Sequence, residues 1–453
     1  MLKIKFKLIC FLLAFYWIGN IFTAASFNFG SRSSAIKVGE DAELSLRDYN
    51  LDFRNGTLSF EHRSETPNLP VRVDRATRSI SFRQSYLEID GPPFHVYNTF
   101  VDEAVYKPAT QSVVLDGNGS LRSEYGKFLL NLEPHMFGNL IAGQPTFLRD
   151  ITLRDAAATL TIAIQSKLNK NIVLNGGEIF LRDDLKLADD VQLTGGGTVR
   201  LNRRRISLGG KELSWNGDIE WQDAGDIVLN NNMTLNSTWT FNGNNVLQGN
   251  GHVLTLGSNG KIIVERDYSS VLFHDIKIDG ISGNKIRCFD HTGTVSFSDL
   301  TWVQDGNYSF SEGRFAVVGT TKMQGDYVFA YETDLVSTIF DNSRLIWDSG
   351  FTFSYAPQGT TNRQLLQMAD ATAEIMMNGA ILHSTTTGLM LTKGTLLIDH
   401  KNYIYDEFSL NRPATALSEA VAFGDGVHDL NIEVLPGGNV ELMSGIITYN
   451  NAD

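Results

Sequence analysis

Residues 193–256 read LTGGGTVRLNRRRISLGGKELSWNGDIEWQDAGDIVLNNNMTLNSTWTFNGNNVLQGNGHVLTL. Across 173–281 an apolar position recurs every twenty residues: Val173, Leu193, Leu213, Met233, Val253 and Phe273. Offset copies of the same beat run through Val199, Ile219 and Trp239 and through Leu187, Ile227 and Leu247, with polar slips at Ser207 and Asp267. Between beats lie Gly/Asn turns, among them Asn175-Gly-Gly177, Thr194-Gly-Gly-Gly197, Asn216-Gly-Asp218 and Gly249-Asn-Gly251. A fixed period in this range, built from short alternating strands, is the signature of a solenoid.

The competing all-β folds fit less well. A propeller blade takes roughly 40 residues, and sandwich hairpins need turns every 8–12 residues or so. The amides crowded into turns (Asn230-Asn-Asn232, Asn236, Asn242, Asn244, Asn245) can form hydrogen-bonded ladders along the axis of stacked coils. The predicted fold is therefore all-β, a right-handed parallel β-helix with about 20–24 residues per coil. At roughly 22 residues and about 4.8 Å per coil, it would form a rod on the order of 80–90 Å long.

Three regions follow along the chain. In residues 1–25, Lys3, Lys5 and Lys7 precede the apolar run Leu8 to Phe22, and Thr23-Ala24-Ala25 supplies small residues. That pattern predicts a secretory signal cleaved after Ala25, with an uncleaved anchor as the alternative. Residues 26–110 hold half of the chain's ten prolines and a weaker alternation, and are expected to be an entry or cap region with irregular strands. Residues 111–453 are expected to form the β-helix, with a short capping or inserted segment near 405–425 and a helical turn at Ala414 to Ala422. The alanines of Asp155 to Leu168 do not make a helix in this reading, because β-branched residues alternate there. No later segment is apolar for long enough to span a membrane, so the mature chain is expected to be secreted, periplasmic or at the cell surface.

The formal charge is −13, and removing residues 1–25 takes away three lysines and no acid, giving −16. Such a chain is a poor partner for nucleic acid, whose phosphates demand a basic face. One cysteine, Cys288, remains after the signal, so no internal disulfide framework is expected and this thiol reads as core filler.

Two blocks, Gly249-Asn-Gly-His-Val-Leu-Thr-Leu256 and Val271-Leu-Phe-His-Asp-Ile-Lys-Ile-Asp-Gly280, resemble coils of the right-handed, pectin-lyase-like parallel β-helix class. Residues from about 228 to the end also resemble an uncharacterised family of exported β-helical proteins from intracellular bacteria. The matching segments include Asp305-Gly-Asn-Tyr308, Asp348-Ser-Gly-Phe-Thr-Phe-Ser-Tyr355, Leu391-Thr-Lys-Gly394 and Phe423-Gly-Asp-Gly426. This second resemblance covers about half the chain and implies a fold and an exported address, but no activity.

β-Helix enzymes that cut acidic polysaccharides need carboxylates and an Arg or Lys on one face. Asp183-Asp184 and Asp189-Asp190, with Arg200 and Arg203-Arg204-Arg205 one coil later, are the candidates; the plainer reading is turn acids facing a basic turn. Neighbours on a strand point to opposite faces, so an adjacent pair offers one outward carboxylate. Leu397-Ile398-Asp399-His400 matches three of four positions of a pectate-lyase-like block, but the Arg-x-Pro-x-x-Arg motif is missing at Arg412-Pro413, and Asp399 and His400 read as turn residues.

Asp116-Gly-Asn-Gly119 and Gly424-Asp-Gly426 are too short for a strong Ca²⁺ loop, and the nine histidines lack metal-ligand spacing. Trp215, Trp221, Trp239, Trp302 and Trp347 would offer a carbohydrate platform if exposed, and core if not. The sequence thus assigns no catalytic, cofactor or metal residue. It points to an exported structural or adhesin-like interaction rod with a cell-surface or carbohydrate partner, the alternative being a polysaccharide-binding or polysaccharide-cleaving β-helix.

Overall fold

A computed structural model describes backbone strands between Ser26 and Arg122, and backbone with side chains for most of residues 156–404 and 421–443. Residues 1–25, 123–150 and 407–420 lie outside the described residues. The expected signal therefore falls outside them, as does the expected helical turn near 414–422 except for Val421 and Ala422, which open the strand Val421–Phe423.

Alternation builds each strand. In Ile219–Gln222, Ile219 and Trp221 are buried while Glu220 and Gln222 face outward, and Thr238–Asn242 repeats this with Trp239 and Phe241 inside. Turns then redirect the chain so that each strand lies in parallel register on the strand one coil earlier. Ile219 pairs with Trp239, Trp239 with Ile262, and Ile262 with Ile286, steps of 20, 23 and 24 residues. The described chain is all-β, a solenoid of stacked parallel coils. The earlier strands stack alike: Asn50–Arg54 lies on Ser79–Arg83, and Ser120–Arg122 on Thr159–Ile162.

The long strand Thr294–Phe310 exposes the cross-section. Its start pairs with Arg314–Val317, its middle with Thr320–Gln324 and its end with Val328–Tyr331, so one strand bends along three sides of a coil. Later coils are longer, Leu345 pairing with Ile375 and Leu396 with Ile432. Asp155 to Leu168 holds the strands Thr159–Ile162 and Ser166–Leu168. Among the described residues, no helix is long and apolar enough to cross a membrane.

The beat of twenty is looser than the sequence suggests. Leu193, Met233 and Phe273 point inward, and the half-buried Leu213 keeps that face, in register with Met233; Val173 and Val253 are half-buried too, and the inward positions beside them belong to Ile172 and Leu254. Side chains alternate with a period of two, so each odd change in coil length moves a fixed beat to the other face.

All five tryptophans from Trp215 onward are core, none more than 1 % exposed, which removes the carbohydrate platform. Rings line the axis: Phe273, Phe297 and Phe315 stack at 6.4 and 5.8 Å, and Tyr331 stacks on Tyr355 at 5.7 Å. Cys288 is a buried thiol at the inward end of Ile286–Cys288.

Asparagines do bind along the axis, mostly from side chain to backbone rather than amide to amide. Asn202 Nδ2 donates to Leu181 O at 3.2 Å and Asn250 Nδ2 to Leu229 O at 3.0 Å, while Asn230 Nδ2 reaches Leu208 O. Asn202 and Asn250 also adopt left-handed backbone, φ 49° and 52°, which asparagine tolerates better than most residues. Replacing Asn250 by alanine removes the inter-coil bond and strains the turn, so a loss of about 1–2 kcal/mol is expected in urea unfolding. Glycine there should cost less than alanine; the reverse order would show that backbone strain contributes nothing.

Candidate functional site

The acid and arginine coils come close together, but as stitches between coils. Asp183 Oδ1 accepts the Asp184 N–H at 2.8 Å, and Asp184 Oδ1 accepts the Arg205 N–H at 2.9 Å. Arg205 Nη2 reaches Asp226 Oδ2 at 3.4 Å, Arg200 Nη2 reaches Glu178 Oε2 at 3.1 Å, and Lys211 Nζ lies 3.6 Å from Asp190 Oδ2. Among the described residues Asp189 enters no ion pair; Asp183 serves its own turn, while Asp184 and Asp190 reach the next coil at Arg205 and Lys211.

A second constellation, which the sequence did not announce, sits on the outer face of the 12-stranded sheet. Arg200, Gln222 and Asn242 occupy one outward row on successive coils, and Glu220 points the same way two residues before Gln222. Gln222 Nε2 donates to Glu220 Oε1 at 2.8 Å. Asn242 Nδ2 donates to the same Oε1 and, at 3.2 Å, to Glu265 Oε2. Glu220 and Glu265 thus face each other across one amide nitrogen. Asn242 is 8 % exposed, and its Oδ1 has no partner among the described residues. Two fixed carboxylates beside two amides can accept hydrogen bonds from hydroxyl-rich molecules. The glutamates are 45 positions apart and fall in no motif, so only the register of the coils unites them.

A third cluster centres on Asp348, just after the strand Arg344–Trp347. Lys322 Nζ lies 2.8 Å from its Oδ2, Gln324 Nε2 donates to the same atom at 2.8 Å, and Asn378 Nδ2 donates to Oδ1 at 2.7 Å. Partial burial alone would raise this carboxyl. The hydrogen bonds from Lys322 and Gln324 and the Lys322 charge outweigh it, holding Asp348 below the usual carboxylate range. Asn378 pairs in register with Asp399, whose Oδ1 accepts the His400 N–H at 2.8 Å. His400 has φ 57°, so these two residues form a turn after the strand Gly394–Asp399.

Asp425 serves its own loop. Its Oδ1 accepts the Val427 and His428 N–H groups, both at 2.9 Å, and its Oδ2 meets His428 Nδ1 at 2.9 Å. The His428 side chain first, with the backbone donors, holds this carboxyl down at about 2. Side chains of Asp116 to Gly119 lie outside the described residues. Among the described residues, no three His, Cys, Asp or Glu side chains gather as metal ligands. No family model matches the chain, and neither a curated protein nor a solved structure is significantly similar to it.

Proposed function

We propose that the chain is an exported, non-enzymatic rod of the right-handed, pectin-lyase-like β-helix class, presenting a rigid surface for interaction outside the cytoplasm. The observation that carries this reading is how charged side chains on the outer faces are used. Arg200 with Glu178, Lys322 with Asp348, Arg344 with Glu374 and Lys401 with Glu441 each join neighbouring coils along the axis. Side chains spent on coil-to-coil bonds stiffen a scaffold and hold its surface in one arrangement. The basic, apolar and small-residue segments of 1–25 support the exported address.

Expression of the full chain in a secreting bacterial host tests both parts. The recovered protein is expected outside the cytoplasm, starting at Ser26, and silent toward acidic and neutral polysaccharides with and without Ca²⁺. Retention inside the cell defeats the address, and new reducing ends defeat the rod.

Glu220 and Glu265 favour a second reading, a polysaccharide-cleaving face. Carboxylates sharing one amide nitrogen suit the roughly 5–5.5 Å separation of double-displacement glycosidases better than the roughly 6.5–9.5 Å of inverting ones. Any cleavage that survives Glu220→Gln and Glu265→Gln removes this pair from consideration.

A further inference from the structure

The strands Ser166–Leu168, Leu185–Leu187 and Arg205–Ser207 follow one another in parallel register, with Lys167 on Lys186 and Lys186 on Ser207. Both lysines are exposed and leave the same outward position, one strand spacing of about 4.8 Å apart. Like charges directly opposite across paired strands are destabilising. Arg205 shares this face two residues before Ser207, and Arg203 and Arg204 are exposed in the turn that precedes it. That turn is held in place, since the Arg203 N–H bonds to Ala224 O and the Arg204 N–H to Leu201 O.

Elsewhere among the described residues several cations of this acidic chain pair across coils, as at Arg200, Lys322, Arg344 and Lys401, while Lys261 and Arg314 stand singly. Here, among the described residues, Lys167, Lys186, Arg203 and Arg204 enter no ion pair, and Arg205 has one exposed contact, to Asp226. Of the nearby acids, Asp184 caps the Arg205 N–H and Asp190 meets Lys211, while Asp189 is exposed beside them. Four cations over three coils, with Arg205 beside them, therefore face outward without an acidic partner among the described residues.

We infer that this corner is a docking track for a linear sulfated polysaccharide running along the solenoid axis. Cations repeated at the coil spacing match a polymer that carries an anionic group on successive sugars. Guanidinium forks bind oxyanions such as sulfate through paired hydrogen bonds. Single-stranded nucleic acid would need rings on which to stack its bases. The aromatic residue of these coils, Phe180, already has Arg182 over its ring at 5.9 Å. A flat anionic membrane would meet the exposed Asp189 and Asp190 beside the track. The inference rests on the reading of the rod as an interaction surface, and not on its export.

Calorimetric titration of the purified full chain tests it with heparin, desulfated heparin, polygalacturonate, single-stranded DNA and phosphatidylserine vesicles. Heparin is expected to bind tightest, at least tenfold above the desulfated chain. Lys167→Gln with Lys186→Gln should weaken it about tenfold, while Lys261→Gln with Arg314→Gln, exposed cations elsewhere, should leave it unchanged. Should the first variant lose its β-sheet circular dichroism, Arg204→Gln in the turn repeats the comparison. Absence of heparin binding, an equal loss in the Lys261/Arg314 variant, or tighter binding of DNA, polygalacturonate or vesicles overturns the track. Those results leave the rod itself standing, since it falls only through polysaccharide cleavage.

Discussion

Replacing Trp239 by alanine lowers the stability of the central coils by about 3–5 kcal/mol, the range for deleting a buried aromatic side chain. Trp239 is fully buried and lies edge-on between two other indoles, 5.7 Å from Trp215 and 5.3 Å from Trp221. In the stack it sits between Ile219 and Ile262. Its indole N–H has no partner among the described residues, so the loss is one of packing rather than of a hydrogen bond. Coils stabilise their neighbours in a solenoid, so a cavity here weakens both adjoining interfaces. Urea unfolding followed by circular dichroism reads the effect. Phenylalanine, which keeps a ring in the stack, should retain more than half of the lost stability. A loss below about 1 kcal/mol for alanine would mean that the coils close over the gap.

Raising the pH above 10 is expected to unfold the C-terminal coils. Tyr308, Tyr331 and Tyr355 point into the core with their hydroxyls tied to backbone. Tyr308 reaches Ile286 O; Tyr331 lies 2.9 Å from Leu365 O and 3.0 Å from Ser337 Oγ. Tyr355 donates to Asn362 O at 2.7 Å and accepts the Leu365 N–H at 3.1 Å, so the two later tyrosines hold the long loop between Tyr355 and Leu366. Burial, first among the causes, pushes all three phenols up from the usual 10.0, Tyr355 to about 12.

The unfolded chain loses these protons near pH 10 while the folded chain keeps them. The stability they confer is therefore complete below pH 10 and falls as the pH rises toward the folded values. At about 1.36 kcal/mol per unit, Tyr355 alone accounts for roughly 2–3 kcal/mol by pH 12. Phenolate absorbance should appear together with loss of the β signal, and Tyr355→Phe should flatten part of the alkaline fall. At neutral pH that variant should cost about 1–3 kcal/mol by stranding Asn362 O and Leu365 N. Titration of all three phenols near pH 10 with the fold intact would contradict the burial argument.

How far the outer faces could be read beforehand differs from residue to residue. Asp399 and His400 were legible as a turn because a strand pattern stops just before them. The buried tryptophans were legible as core from their strand positions. Glu220 and Glu265 were not, because a pairing of residues on different coils depends on the length of every coil between them. The same dependence separated Val253, half-buried, from Leu254, fully buried, although the beat of twenty singled out Val253.

The class of architecture follows from the local pattern of residues. Short alternating runs parted by Gly and Asn bury one face per strand, and no single coil can enclose that face, so coils must stack. Which side chains share a row depends instead on how the coils stack. Coils of 20, 23, 24 and 30 residues bring distant positions into register, and one residue more or less turns a side chain from core to solvent. The row of Lys167 and Lys186 and the meeting of Glu220 with Glu265 arise at that level, where parallel hydrogen bonding between coils sets the alignment.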